Sequence, residues 1–288
     1  MRQLRELREP RGRREQGLLL VEGTHLLQEV LRLGLTPQLV LATERWCASH
    51  GPLLAALPAA VPLRLGLTPR LVLATSRWCA SHGQLLAALP ASVPQRLASD
   101  EVLAAVASTD HPDGVLLSLP LPQPCTEAPP RFLLVLDCIQ DPGNLGTLLR
   151  TALASGVDQV WLGEGADPWQ PKVLRASSGA ALALPLLRLK PEQLRQRLER
   201  VGAQGLQRLA AVLPRPGLAV RPYWQLDWTR PTALLLGNEA NGLDPALLRL
   251  ADQLVTIPHS PAVESLNVAV AAAPLLLERW RQRSQPSA

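Results

Sequence analysis

Short apolar runs alternate along the chain with polar stretches rich in Gly, Pro and Asn, a pattern typical of α/β proteins. In the last third, the apolar run that starts at Ala233 ends at Gly237, and a second run starts at Val255. A small-residue helix follows from Asn267. Because the carboxyl ends of buried parallel strands are common ligand sites, this region predicts a binding floor. Gly237 and Gly242 allow close approach of backbone to a ligand. Directed polar groups are supplied by Asn238, Glu239, Ser265 and Asn267.

The first half of the chain predicts a smaller α/β unit. Strands are expected at Leu18–Glu22 and Val115–Leu119, with helices that start at Thr24 and at Ser99 or Asp100. Five prolines then fall between residues 119 and 130, where they exclude a helix or a central strand. We therefore expect a domain at residues 1–118, a stiff linker at 119–130 and a second domain at 131–288.

A tandem duplication lies inside the first domain. Residues 33–64 and 65–96 align without gaps and differ at only five of 32 positions. Each copy predicts one strand and one helix, and two copies are too few for a solenoid. We expect one copy to complete the small sheet and the other to be an extra unit at its edge. Alternatively, the near-identical strands compete for one position or exchange between chains.

The second domain opens with strand Phe132–Leu136, the turn from Asp141 and a helix expected over Leu145–Ala154 with Asn144 as N-cap. Arg150 lies about two helical turns beyond the turn and on its side of the helix. An arginine without a partner is not expected in a core. Further elements are predicted at Val160–Gly163 and, as a charged amphipathic helix, at Pro191–Val201.

Charge and composition narrow the function classes. A net charge of +5 and a pI near 9.6 favour a polyanionic partner without distinguishing RNA from DNA. The four cysteines show neither a CxxC pair nor metal-ligand spacing, so we predict reduced thiols and no metal. No apolar stretch suits a membrane helix or a signal peptide, which predicts a soluble, cytoplasmic protein. The arginine-rich residues 2–14 are either a phosphate-contacting arm or an internally paired surface.

Three motifs carry a family resemblance: Asp-Pro-Gly-Asn-Leu-Gly-Thr with Arg150, Leu-Leu-Leu-Gly-Asn-Glu up to Glu239, and Glu-Ser-Leu-Asn up to Asn267. Together they resemble the SpoU (TrmH-like) RNA ribose methyltransferases of the SPOUT class. The resemblance implies an α/β fold with a C-terminal trefoil knot and a smaller N-terminal, L30e-like α/β domain that binds substrate. It also implies S-adenosyl-L-methionine as methyl donor and an active site at a homodimer interface.

By the same resemblance, the catalytic pocket comprises Arg150, Asn144, Glu239, Ser265 and Asn267. Cofactor contacts are assigned to Leu236, Gly237, Ile257 and Leu266, mainly through backbone groups. Arg150 would activate the ribose hydroxyl. It acts either as the base that removes the hydroxyl proton or as an anchor for the alkoxide and an adjacent phosphate. The second role is chemically easier, because a guanidinium stays protonated. Lys172 and Arg175 are expected to hold RNA phosphates, the alternative being helix capping and surface solvation.

Two prolines depart from the family pattern. Pro261 stands where glycine is common and is expected to reshape the cofactor loop, and Pro274 is expected to kink the last helix unless it lies near its start. The leading hypothesis is a methyltransferase acting on the ribose 2′-hydroxyl of structured RNA, with rRNA favoured over tRNA. The alternative is a non-catalytic RNA-binding or ribosome-assembly factor. A generic nucleotide-binding protein is disfavoured, because GxGxxG and GxxxxGK[ST] are absent from the sequence.

Overall fold

The computed structural model describes residues 2–35, 39–42, 100–110, 112, 115–123, 129–238 and 240–284. Most of the duplicated segment therefore lies outside the described residues. The chain divides into two compact units, residues 1–122 with 169–182, and residues 123–168 with 183–288. The division after Pro122 falls in the proline-rich segment. The assignment of residues 169–182 to the first unit is a feature that the sequence did not predict.

The first unit contains a three-stranded antiparallel sheet in the order β1-β3-β2. Its strands are β1 Leu18–Glu22, β2 Leu39–Ala42 and β3 Val115–Pro120. Its helices are α1 Arg2–Glu6, α2 Pro10–Gln16, α3 Thr24–Arg32, α4 Asp100–Ala104 and α6 Pro171–Ala176, while α7 Ala180–Ala183 crosses the unit boundary. The strand of the first copy, β2, pairs with β3. The central strand β3 runs to Pro120, so the prediction that residues 119–130 are excluded from a central strand is wrong for Leu119 and Pro120. Proline is accommodated there because it ends the strand, beyond the residues that pair with β2. The helices predicted for both copies and the second copy's strand fall outside the described residues.

Side chains from the first helices and strands form the core of this unit. Leu7, Leu20 and Leu116 are at most 1% exposed and belong to one apolar cluster. Arg13 of the arginine-rich start is also buried and donates from Nη1 to the carbonyls of Leu7 and Arg8, at 2.8 Å each. Arg13 is therefore part of the fold and does not belong to a phosphate-contacting arm.

The second unit is built on a seven-stranded, fully parallel sheet in the order β6-β5-β4-β9-β7-β10-β8. Its strands are β4 Phe132–Leu136, β5 Gln159–Leu162, β6 Leu186–Arg188, β7 Gln207–Ala211, β8 Val220–Pro222, β9 Thr232–Leu236 and β10 Gln253–Thr256. Its helices are α5 Pro142–Ala154, α8 Pro191–Ala203, α9 Pro245–Leu248 and α10 Val268–Ser284. Strands β4 and β9 are buried along their whole length, as central parallel strands require.

Apolar side chains cover the sheet. Alternate strand residues such as Leu133 and Val135 join one cluster with Leu194, Leu198 and Val201 of α8. Helices α5 and α10 pack against each other. Helix α10 continues through Pro274, which lies in its interior rather than at its start.

The start of helix α5 differs from the sequence prediction. The helix begins at Pro142, and its N-cap is Asp141, whose Oδ1 accepts a hydrogen bond from the backbone N–H of Asn144 at 2.7 Å. The prediction that Asn144 caps a helix starting at Leu145 is wrong. Proline suits the first turn because its missing N–H would have no helical acceptor there.

Candidate active site at the carboxyl ends of the parallel strands

The loop 137–144, which here includes the first turn of α5 as well as the residues between β4 and α5, is bonded to the loop that follows β9. The backbone N–H of Asp137 donates to the carbonyl of Leu236 at 2.9 Å, and Asp137 Oδ2 accepts from the backbone N–H of Asp244 at 2.9 Å. The Cys138 carbonyl accepts from Nδ2 of Asn238 at 2.8 Å. Polar groups at the ends of two neighbouring strands therefore fix both loops.

The loop that follows β9 is closely packed at Gly237. A Cβ on Gly237 would lie 2.2 Å from backbone atoms of Gly242 and Leu243, so only glycine fits. Asn238 and Gly242 exchange two backbone hydrogen bonds of 2.9 Å, and Gly242 adopts a φ of 72°. The Asn238 side chain also accepts from two backbone N–H groups of its own loop, at 2.7 and 3.2 Å. Backbone groups thus define this part of the site.

Asn267 ties the third motif to the first. Its Oδ1 accepts from the backbone N–H groups of Ala269 and Val270, at 2.9 and 3.3 Å, as an N-cap of helix α10 does. Its Nδ2 donates to Oδ1 of Asn144 at 2.9 Å. The loop 137–144 therefore contacts the second motif through Cys138 and the third through Asn144.

Arg150 projects from the exposed side of helix α5. Its neighbours Leu148, Leu149 and Ala152 are fully buried, whereas Arg150 itself is exposed. The exposure agrees with the expectation that Arg150 is not packed in the core. Its catalytic role stays a prediction. Ser265 is also exposed, and Glu239 lies outside the described residues.

The residues assigned to cofactor contact present backbone rather than polar side chains. Leu236 is 3% exposed and ends β9, Gly237 follows it, and Leu266 is half-buried in the segment before α10. The Ile257 carbonyl lies 2.7 Å from Nδ1 of His259. Strands and tight loops hold such groups in fixed positions, so the chemistry of this donor set fits a nucleoside-type ligand recognised through N–H and C=O groups.

The thiol of Cys138 lies beside these segments. Burial, the adjacent Asp137 carboxylate and its hydrogen bond raise the pKa of the Cys138 thiol to about 11. The thiol therefore stays protonated at neutral pH, and a protonated thiol is a poor nucleophile. Cys138 adopts a φ of 55°, which turns the chain sharply after β4.

Lys172 and Arg175, predicted to bind RNA, lie on helix α6 in the first compact unit. Arg175 Nη1 donates to Ser108 Oγ at 2.8 Å and to Glu22 Oε2 at 3.3 Å. The Glu22 side chain is 5% exposed and that of Arg175 34%. Arg175 thus compensates a buried carboxylate, while Lys172 is exposed. RNA contact by either residue remains a prediction.

One residue of the site, Asp137, was not identified from the sequence, and Asn238 was identified there only as a polar group of the binding floor. Each is the first polar side chain after a buried apolar strand, which is the signal that identifies them. Within the described ranges, no group of three or more metal-ligating side chains is found. No described helix is long and apolar enough to cross a membrane.

The fold has a clear counterpart among solved structures. The SpoU methyltransferase AviRb from Streptomyces viridochromogenes superposes with a TM-score of 0.73 at 25% sequence identity, covering 98% of this chain and 96% of that chain. The parallel sheet and the loops at its carboxyl ends therefore define a methyltransferase fold of the SPOUT class.

Two protein-family models match this chain, one on each side of the proline-rich segment. The model of the SpoU rRNA Methylase family matches residues 131–277, and that of the MRM3-like substrate binding domain matches residues 1–117. This chain belongs to the SpoU rRNA methylase family.

Two relatives illustrate the family's breadth. The uncharacterized tRNA/rRNA methyltransferase slr1673 of Synechocystis sp. is 41% identical over 286 residues, which is 98% of this chain and 91% of that protein. The 23S rRNA (guanosine(2553)-2′-O)-methyltransferase RlmP of Bacillus subtilis is 36% identical over 179 residues, covering 62% of this chain and 69% of that protein. The first relative extends along nearly the whole chain.

Proposed function

We propose that this protein transfers a methyl group from S-adenosyl-L-methionine to a ribose 2′-hydroxyl of structured RNA, with rRNA as the substrate class. Membership in the SpoU family supports the reaction, and the relatives named as 23S rRNA 2′-O-methyltransferases support the substrate class. The observation that carries the proposal is the loop 137–144. It bonds to the second motif through Cys138 and to the third through Asn144.

The cofactor would be held by backbone groups of Leu236, Gly237, Ile257 and Leu266. When bound, it supplies an electrophilic methyl on a sulfonium sulfur. The narrow space around Gly237 fixes the loop in advance of binding, so little order remains to be gained when the ligand arrives. Cys138, whose raised pKa keeps it protonated, does not compete with the ribose as a nucleophile.

Arg150 is proposed to act on the ribose hydroxyl. This hydroxyl is a poor nucleophile until its proton leaves or its developing charge is stabilised. A charged guanidinium on an exposed helix face stabilises a forming alkoxide and binds an adjacent phosphate, which is chemically easier than proton abstraction. Asn144 and Asn267, joined at 2.9 Å, would orient the pocket wall beside it, together with Ser265 and Glu239.

The remaining features of the proposal concern assembly. We infer a substrate-binding domain at residues 1–118, a linker at 119–130 and a catalytic domain at 131–288, with Lys172 and Arg175 contributing RNA contacts. A C-terminal knot, a homodimer and a cytoplasmic location complete the proposal. The matches of two separate family models to residues 1–117 and 131–277 support the two-domain division.

The decisive experiment measures donor binding and methyl transfer on the same preparation. Titration calorimetry with S-adenosyl-L-methionine is expected to show binding, and radiolabelled methyl is expected to enter rRNA at a ribose 2′-oxygen. Arg150→Ala should lower the turnover number about 100-fold or more with little change in stability. Arg200→Gln, which removes an exposed charge from helix α8, is the matched control and should leave turnover unchanged.

Each outcome separates the hypotheses. Donor binding without methyl transfer to rRNA would indicate that another RNA is the substrate. RNA binding without donor binding would instead identify a non-catalytic factor that keeps the fold. Full turnover in Arg150→Ala would remove that residue from the mechanism.

A further inference from the structure

A groove of about 490 Å³ lies beside the carboxyl-terminal end of helix α10, away from the motif residues. Its lining comes from the segment after edge strand β8 and from the last turns of α10. The lining residues are Trp224, Gln225, Leu226, Asp227, Thr229, Arg281 and Gln282. The volume is within the range of about 300–1,000 Å³ that small-ligand sites occupy. None of the residues of the three motifs lines this groove.

An exposed aromatic ring forms one side of the groove. Trp224 is 52% exposed, although large apolar side chains are normally buried. Tyr223, the only tyrosine of the sequence, packs edge-to-face against it, with ring centroids 5.0 Å apart and an interplanar angle of 76°. The neighbouring ring limits the orientations of the indole. A fixed, accessible indole face is the surface on which a nucleobase stacks.

The backbone beneath the ring is firmly anchored. The buried Trp228 donates from its indole N–H to the Tyr223 carbonyl at 2.8 Å. Gln282 of α10 accepts from the backbone N–H of Trp228 at 2.9 Å and donates to the Leu226 carbonyl at 3.0 Å. Because these contacts do not involve Trp224, its exposed ring is not needed to hold the segment in place.

Charged groups lie in the groove lining and, in the case of Arg221, on strand β8 next to it, bonded to the carbonyl of the lining residue Gln225. Arg221 donates to two neutral acceptors, the Gln253 side chain and the Gln225 carbonyl, so these contacts leave its positive charge uncompensated. Arg281 pairs with Glu278 and keeps 58% of its side chain exposed. Hydrogen bonds from Thr229 lower the pKa of Asp227, so its carboxylate is an acceptor for base amino groups at neutral pH.

The position of the groove is compatible with the same RNA reaching both places. Arg281 follows Asn267 by 14 residues of helix α10, which is about 21 Å along the helix axis. A stacked strand covers that distance in about six nucleotides at 3.4 Å each. The groove is therefore separate from the methylation site but within reach of a short stretch of the substrate.

We infer that the groove at Trp224 is a second RNA site, which takes an unpaired nucleotide by stacking its base on the indole while Arg221 and Arg281 face the phosphates. This inference rests on the proposed function, since it assumes an RNA substrate. A groove of this kind would position the RNA without taking part in methyl transfer, so its loss should affect binding and KM rather than the turnover number.

The test compares two variant pairs by fluorescence anisotropy with a short fluorescein-labelled single-stranded RNA of mixed sequence. Trp224→Ala should weaken binding at least about five-fold, and Trp224→Phe, which keeps an aromatic face, should restore most of the affinity. Arg221→Gln should weaken binding and reduce its salt dependence, whereas the matched Arg200→Gln should do neither. With rRNA as substrate, Trp224→Ala should raise KM and leave the turnover number unchanged.

Control measurements make each result interpretable. Calorimetry with S-adenosyl-L-methionine and a thermal melt of each variant show whether the fold and donor site are intact. If the unaltered protein binds no donor, the proposed function fails. If it binds donor and Trp224→Ala binds RNA as well as the unaltered protein does, only this inference fails. A change of molar mass on sedimentation of Trp224→Ala would assign the groove to contact between copies and overturn it.

Discussion

The two sheets of the molecule differ in how much sequence change the segments beside them accommodate. The three-stranded antiparallel sheet has β2 at its edge, and the segment that contains β2 occurs twice in the sequence. In the parallel sheet, the loop after β9 has no room for a single methyl group on Gly237. The sequence thus contains the segment of the edge strand in two copies, whereas the first position after the central strand β9 accepts only glycine.

The difference follows from what each segment contacts. Among the described strands, β2 pairs with β3 alone, and long surface insertions cost little in free energy. The loop after β9 is bonded to residues about 100 positions earlier in the sequence, since Asn238 contacts Cys138 and Asp244 contacts Asp137. Constraint is therefore greatest where distant segments share backbone groups, which is also where the proposed cofactor binds.

Gly237→Ala should produce the largest effect. The new Cβ would meet backbone atoms at 2.2 Å, so the loop must open. We expect the free energy of unfolding to fall by at least about 3 kcal/mol and the binding of the methyl donor to be lost. Gly217→Ala is the control, because Gly217 has a φ of 82° and no atom near the added methyl. It should cost only about 1–2 kcal/mol of backbone strain. Chemical denaturation measures both, and equal losses would contradict the crowding argument.

Arg279→Met should give the next largest effect. Arg279 is 2% exposed and donates to the carbonyls of Arg131, Trp228 and Arg230, with its guanidinium 4.6 Å from the centre of the Phe132 ring. Burial lowers its pKa to about 10, which still leaves it charged at neutral pH. Methionine fills a similar volume but leaves carbonyls without their donor, so we expect a loss of about 3 kcal/mol.

The control for this prediction is Arg283→Met on the exposed surface of the same helix, which should change the free energy of unfolding by less than about 0.5 kcal/mol. Arg279→Lys sharpens the comparison, because one ammonium group cannot reproduce the planar fork of a guanidinium. Recovery of full stability by lysine would show that charge, rather than the three-carbonyl geometry, matters.

The sequence predicts the local elements of the parallel sheet well. The apolar run Phe132–Leu136 is a strand with those same bounds, because a fully buried parallel strand is apolar at every position. The start of α5 was misplaced by three residues, although the pair Asp141-Pro142 carries both an N-cap and a first-turn proline. Asn144 has N-cap chemistry too, and local propensity alone does not choose between them.

Long-range contacts are the part that the sequence does not reveal. The partners of Asp137, Arg175 and Arg279 are 107, 153 and up to 148 positions away. Arg175 was predicted to bind RNA from its charge, and its pairing with Glu22 depends on a segment that joins the first compact unit. Similarly, the periodicity of α10 places Arg279 on the face of the buried Leu276, but it places the exposed Arg283 on that face as well.

Asn267 offers a prediction of intermediate size. Asn267→Ala removes both the N-cap of α10 and the bond to Asn144, and it should lower the free energy of unfolding by about 1 kcal/mol. Asn267→Asp keeps the cap but lacks the Nδ2 donor. Its stability should therefore recover, whereas its turnover number should stay as low as that of Asn267→Ala. A thermal melt and a methyl-transfer assay on both variants check this. Parallel recovery of stability and turnover would show that only the cap is important.

Removal of one repeat copy should have the smallest effect. It tests whether the segment that contains the edge strand β2 accommodates a large change in sequence. Deletion of residues 65–96 joins Arg64 to Leu97, and deletion of 33–64 joins Arg32 to Leu65, so both restore an Arg-Leu junction of the parent sequence. The two products differ from each other at only five positions.

We expect both deletions to match the full chain within about 1 kcal/mol in the free energy of unfolding and to bind RNA equally well, because one strand suffices to pair with β3. Denaturation curves and RNA anisotropy measure this. A loss of stability and RNA affinity in both products would mean that the second copy is an integral part of the domain. A loss in only one product would assign the edge position to the copy that was deleted, since the five differing residues would then decide which strand fits.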